Sequence, residues 1–162
     1  MLGAVPENIT LVGMNFDQQN LDDILKGAGF QKGKRTLFIW EGVTQYITEE
    51  AVNNTLKFVS SVSGVGSSIV FTYVRREIID GTACPEWFRR FLLFARKVGS
   101  PFIFGLEQGE LEQYLTDRGL KLIDDVGAAE YQDLYLKQLG REMTVFDGER
   151  VAFAEVMGLS VT

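Results

Sequence analysis

The sequence predicts a three-layer α/β domain with a largely parallel sheet. Three observations carry that expectation: apolar runs of strand length alternate with segments of helical period, turn residues separate them, and no repeat or linker interrupts the 162 residues. A chain of this length buries about 70% of its unfolded-state surface, so a single domain over 1–162 needs no metal or disulfide to hold its core.

The elements follow in order. Residues 9–16, ITLVGMNF, read as a short first strand. In NLDDILKGAGF, Leu21, Ile24, Leu25 and Ala28 recur at helical spacing. Asn20 is placed to cap that helix, Asp22 and Asp23 favour its positive end, and Gly29 offers the stop. TLFIW, residues 36–40, is a continuous apolar run of the kind covered on both faces in a parallel sheet. Thr48 then caps a helix whose inner stripe is Val52, Leu56 and Val59, with Glu49 and Glu50 in its first turn. After the turn SGVGS, the run SSIVFTYV repeats the buried-strand pattern.

Residues 75–104 depart from the alternation and read as a helical insertion or lid. Pro85 starts a helix that carries Trp87, Phe88, Phe91, Leu92 and Phe94 around much of its girth, so it must cover something, either as a core helix or over a pocket. Beyond it, Leu111, Tyr114 and Leu115 mark a further helix closed by Gly119, KLIDDV a strand, and AAEYQDLYLKQLG another helix. ERVAFAEV ends the series with the two-residue alternation of a strand that has one wetter face.

Composition removes whole classes of function. The net charge is −6 and no long basic run is present, so nucleic acid is not expected as a partner. With no histidine, the chain supplies no imidazole for a Ser-His-Asp or Cys-His site and no His metal ligand, and no metal is expected. Its one cysteine, Cys84, excludes an intrachain disulfide and reads as a small packing group. No segment reaches the roughly 18 apolar residues of a membrane span, and the start of the chain has no leader pattern. No membrane partner and a cytoplasmic location are the resulting expectations.

In a parallel sheet, ligands lie beyond the carboxyl ends of the strands, where Glu41 stands at the end of TLFIW. GVGS at 64–67 follows a helix and precedes a strand, the reverse of the context in which a glycine-rich loop cradles a cofactor.

TLFIWEGV, then Tyr46 and a Thr-Glu-Glu helix start, resembles the leucine carboxyl methyltransferase family, a group of class I S-adenosylmethionine-dependent methyltransferases. NFDQQNLDDILKGAGF before it, SSIVFTYV after it, FGLEQGELEQYLTDRGLKLIDDV and ERVAFAEV follow in the same order. The resemblance implies S-adenosyl-L-methionine as cofactor, with Glu41 near its methionine part, Gly42 letting the backbone pass close by, and Tyr46 lining the pocket or packing on the sheet. The family's Asp and following apolar residue at the adenine fall on Asn15 and Phe16. Asn15 thus departs from the acid, and an amide oxygen accepts more weakly than a carboxylate. It also reads as a plain polar cap at a strand end.

The resemblance covers the C-terminal part of such a domain. The family's first strand, with its glycine-rich loop, and its second strand are not in this sequence. The implied fold is therefore an incomplete Rossmann-like methyltransferase fold with an antiparallel last strand. In the class I order 3-2-1-4-5-7-6, the two absent strands would sit between ITLVGMNF and TLFIW. At about 4.8 Å per strand that is a gap of roughly 14 Å. ITLVGMNF must then detach, pair elsewhere or be completed by another chain, and the open edge at TLFIW favours self-association or a separate N-terminal half. The implied reaction is methyl transfer to a carboxylate or other small acceptor. A non-catalytic remnant that binds a partner through the same edge is the alternative, and a flavodoxin-like ligand-binding domain a third, with no phosphate loop to support it.

Overall fold

In the computed structural model, which describes residues 6–158, four strands make one sheet. The strands are β1 (Leu37–Trp40), β2 (Ser68–Val74), β3 (Leu120–Val126) and β4 (Glu149–Val156), in the order β1-β2-β4-β3. β1 runs parallel to β2, with Ile39 opposite Val70, and β4 runs antiparallel to both its neighbours. This order is the 4-5-7-6 half of the class I arrangement, with the expected antiparallel last strand.

The segment expected as a first strand forms none. Residues 10–15 join no strand, Leu11 is 76% exposed, and the segment meets the domain at its end, where Phe16 packs on Trp40 at 6.0 Å between ring centroids and Asp17 bonds Thr48. Among the described residues no strand lies beside it to form a ladder, and Asn15 bonds locally instead, its N–H donating to Gln19 Oε1 at 2.7 Å.

The helices form where their caps place them. α1 (Leu21–Gly27) starts at Asn20, whose side chain accepts from the N–H groups of Asp22 and Asp23. α2 (Glu49–Val62) starts at Thr48, whose hydroxyl accepts from Ala51 N–H. Val52, Leu56 and Val59 of α2 are fully buried against Ile69, Phe71 and Tyr73 of β2 and Ala152 and Ala154 of β4. α5 (Leu111–Thr116) completes this layer with Leu111 and Leu115. Each such side chain contributes about 1.5–3 kcal/mol of burial. Gly64 fits here because a Cβ would lie 2.3 Å from the Gly33 carbonyl oxygen, so GVGS is a packing turn, as its context implies.

β1 corrects the expectation of burial on both faces. Trp40 is buried, but Leu37 and Ile39, which alternate to the other side, are 58% and 72% exposed. Along that second face Val70, Val151 and Phe153 are only half-buried.

The insertion holds a short helix the periodicity does not announce, α3 (Arg76–Ile79), and α4 (Glu86–Lys97). α4 covers less than its composition suggests: Phe88 is buried in a small second core with Val74, Ile78, Cys84 and Phe102, and Ala95 is buried as well, whereas Trp87 and Phe94 are each 60% exposed. The last helical segment begins as α6 (Ala128–Tyr131) and continues through a π turn, Gln132–Leu136.

Candidate functional site

The carboxyl ends of β1 and β2, together with the start of antiparallel β4, meet along one rim of the sheet. Glu41 leaves β1 there, and Gly42 turns the chain with φ 68°, a left-handed conformation that a side chain disfavours. The turn is pinned to β2: Gly42 N–H donates to Thr72 Oγ1 at 2.8 Å, and Thr44 Oγ1 donates to the Thr72 carbonyl at 2.8 Å. Thr44 and Gln45 are buried, and the Gln45 carbonyl accepts from Ile103 N–H at 2.8 Å, which ties this turn to the segment after α4.

Above this rim lies a cavity of about 500 Å³. Glu41, Thr72 and Glu149 supply its polar lining, and Ile39, Val70, Tyr131 and Phe146 are among its apolar walls. Phe146 is held from behind by Phe88, stacked at 4.3 Å, and by Trp87 at 5.2 Å, so the inner side of α4 backs one wall. No Lys or Arg lines the cavity, and Glu41 has no ion-pair or hydrogen-bond partner among the described residues. Glu149 is exposed as a residue, but partial desolvation of its carboxyl at the cavity wall pushes it above the ordinary range, and the Glu41 charge adds to the rise, while a hydrogen bond with Thr72 opposes it.

Below the rim, on the opposite face of β4, Arg150 is buried. Its Nε donates to Asp125 Oδ2 at 2.9 Å, and Tyr73 OH donates to Asp125 Oδ1 at 3.0 Å. Burial, then Asp125, raises the Tyr73 hydroxyl far above its ordinary value, so it stays a donor. These groups satisfy one another and face the core.

The expected site residues are divided. Glu41 lines the rim cavity, with Gly42 next to it. Tyr46 stands edge-on to Phe102 at 4.9 Å, with one side open. Phe16 lines a different cavity of about 650 Å³, between the N-terminal arm and α2. Asn15 lines neither: its Oδ1 accepts from Asp17 N–H at 3.0 Å, closing its own turn. Asp17 is not in a strand at all and instead accepts from Thr48 N–H and Oγ1, anchoring the arm to the start of α2. The Phe16–Trp40 contact is the link between the two regions. Thr72 and Glu149 were not anticipated. Their signal was a polar residue at the end of an otherwise apolar strand and an acid opening the antiparallel one.

Comparison with known proteins agrees with the motif order. The family model for leucine carboxyl methyltransferase matches residues 2–60. That segment holds the arm, α1, β1, Glu41 and most of α2. The chain resembles this family. A Bacillus subtilis protein, "Putative S-adenosyl-L-methionine-dependent methyltransferase YktD", is 24% identical over 144 residues, covering 89% of this chain and 47% of that protein. The chain thus spans about half the length of this curated relative. Among solved structures, a chain of the "Complex between the Haloferax volcanii Trm112 methyltransferase activator and the putative methyltransferase" superposes with a TM-score of 0.58 at 10% identity, over 96% of this chain and 65% of that one. A DUF574 family protein from Streptomyces avermitilis gives 0.51 at 13% identity, over 75% and 44%. These likenesses show a Rossmann-like fold.

Proposed function

We propose that this chain is the C-terminal part of an S-adenosylmethionine-dependent methyltransferase, with the rim cavity at the reacting end of its site. The observation that carries this reading is Glu41: an unpaired carboxylate at a cavity wall, on a turn whose glycine and Thr72 hydrogen bond fix its direction. Such a group fits the ammonium of the cofactor's methionine part, and Phe16 offers an apolar surface for the adenine. When bound, S-adenosylmethionine supplies a methyl on a cationic sulfur, transferred in line as the C–S bond breaks and a bond to the acceptor forms. The chain's own residues align and screen: Glu41 orients, Phe146 and Tyr131 exclude water, and Glu149, at the cavity wall, takes the proton that a hydroxyl acceptor gives up as its oxygen is methylated.

Two carboxylates and no cation at the cavity favour a small neutral acceptor, such as a hydroxyl compound, over a carboxylate. A second reading, a non-catalytic subunit that binds its partner through the open sheet edge at β1, is favoured by one observation: Asn15 replaces the family's acid and its oxygen accepts within its own turn.

The deciding experiment is calorimetric titration with S-adenosylhomocysteine, on the chain alone and on a complex with the N-terminal half of a relative. Binding that requires the complex and is lost in Glu41→Ala supports the methyltransferase. A well-formed complex that binds no cofactor supports the non-catalytic subunit.

A further inference from the structure

β1 is an edge of the sheet: among the described residues no strand lies on its far side. Its alternate residues divide their backbone groups between the two sides. The Thr36 carbonyl accepts from Ser68 N–H at 3.0 Å, and in a parallel ladder of this register residues 36, 38 and 40 are the ones that bond to β2. Leu37 and Ile39 therefore hold their N–H and C=O groups out toward the open edge. Their side chains lie on the open face and are largely exposed.

An edge with free groups and exposed apolar side chains is a template for another strand. The charges that flank it select the strand. Lys34 and Arg35 stand just before β1, and Glu41 stands just after it. Arg35 and Glu41 are both exposed, and neither makes an ion pair among the described residues. A strand that is basic at one end and acidic at the other is complementary to its own copy turned end for end.

The register follows from the backbone. In an antiparallel pair, residues that exchange hydrogen bonds lie directly opposite each other, so the odd-numbered residues of β1 must face odd-numbered ones. Setting Phe38 opposite the partner's Phe38 places Leu37 against the partner's Ile39, and Arg35 against the partner's Glu41. The two Phe38 rings, each half-buried beside Phe30 on the inner face, then meet across the two-fold axis. Sliding one strand by two residues sets Leu37 against Glu41, or Arg35 against Ile39, depending on direction. The central register therefore matches apolar with apolar and charge with charge, and both neighbouring registers break that match.

We infer that the chain, when no other strand occupies β1, forms a two-fold dimer through antiparallel pairing of β1 with β1 of a second copy, closed at each end by Arg35 and Glu41. The partner's Arg35 then supplies, beside Glu41, the cation that the rim cavity lacks. This pairing engages the carboxylate that the proposed cofactor site uses, so the two compete, but it does not rest on that reading.

Sedimentation equilibrium of the whole chain without ligand, over a concentration series, reads the pairing directly. Expected is a reversible monomer–dimer equilibrium with no larger species, because an isologous pair consumes the β1 edge of both copies. Arg35→Glu and Glu41→Arg, at exposed positions and checked for folding by circular dichroism, each turn both opposite-charge contacts into like-charge ones. Each weakens the dimer on the order of 10-fold. Mixed in equal amounts, the two variants associate with each other as tightly as the original chain with itself, since every facing pair is again of opposite sign. A chain that stays monomeric at every concentration up to about 1 mM overturns the proposal and returns the edge to a different occupant, such as a separate N-terminal half. A dimer that ignores either substitution, that mixing fails to restore, or that grows into larger species overturns it as well.

Discussion

The two faces of the sheet are written in the same residues and end up in opposite places. Along β1 and β2, Trp40, Ile69, Phe71 and Tyr73 point toward α2 and are buried, while Leu37, Ile39 and Val70 point the other way and stay partly or largely open. Strands of this composition belong to a sheet with both faces covered. One face is finished by the chain's own helices, and the other carries an apolar surface with nothing comparable over it among the described residues. An apolar face and an adjacent unpaired edge are the usual marks of an interaction surface.

The largest effect separates the faces by stability. Phe71→Ala opens a cavity in the finished face and costs about 3–5 kcal/mol. Ile39→Ala, one strand away on the open face, changes stability by less than about 0.5 kcal/mol. Urea denaturation of both variants checks the contrast. Comparable losses would mean that the open face is covered in solution, for instance by a second copy of the chain.

A smaller effect on folding but a visible one on association is expected from the same face. Leu37→Lys with Ile39→Lys leaves the unfolding midpoint within about 0.5 kcal/mol of the original. It should also reduce apolar dye binding and any concentration-dependent association seen by light scattering. If the double variant associates as strongly as the original, contact runs through another surface, and the outer side of α4 is the next candidate.

The finished face was readable in the sequence because each of its signals is local. Val52, Leu56 and Val59 repeat at helical period, Thr48 and Asn20 precede their helices, and β4 alternates residue by residue. The open face was misread for a related reason: TLFIW reports the burial its residues suit, and no local pattern records whether a covering layer is present. ITLVGMNF failed as a strand on the same ground, since strand propensity forms no ladder without a neighbour. In the site, Glu41 and Gly42 were legible from one motif, but Thr72 and Glu149 join them only through β2–β4 pairing, which brings residues far apart in sequence to one rim. Asn15 is placed at the adenine by resemblance, and its own Asx turn, a short-range hydrogen bond, takes one of the two lone pairs of its oxygen.

The finest contrast between the faces is electrostatic. On the finished face Arg150 and Asp125 neutralise each other, whereas at the rim of the open face Glu149 and Glu41 share a cavity with no cation. Partial desolvation first, and Glu41 second, raise the Glu149 carboxyl above its value in the unfolded chain. The folded protein therefore holds that proton more tightly than the unfolded one. Its contribution to stability is present below the ordinary glutamate range and is lost as pH rises through the raised value. Carbon-13 NMR of the glutamate carboxyls should place the Glu149 midpoint above that of fully solvated glutamates. Glu41→Gln should move it down without restoring it fully, since the desolvation remains, and Thr72→Val should move it up by removing the hydrogen bond that favours the charged form. A Glu149 midpoint indifferent to both substitutions would mean that the three side chains do not share one cavity, and would remove the electrostatic argument for a neutral acceptor.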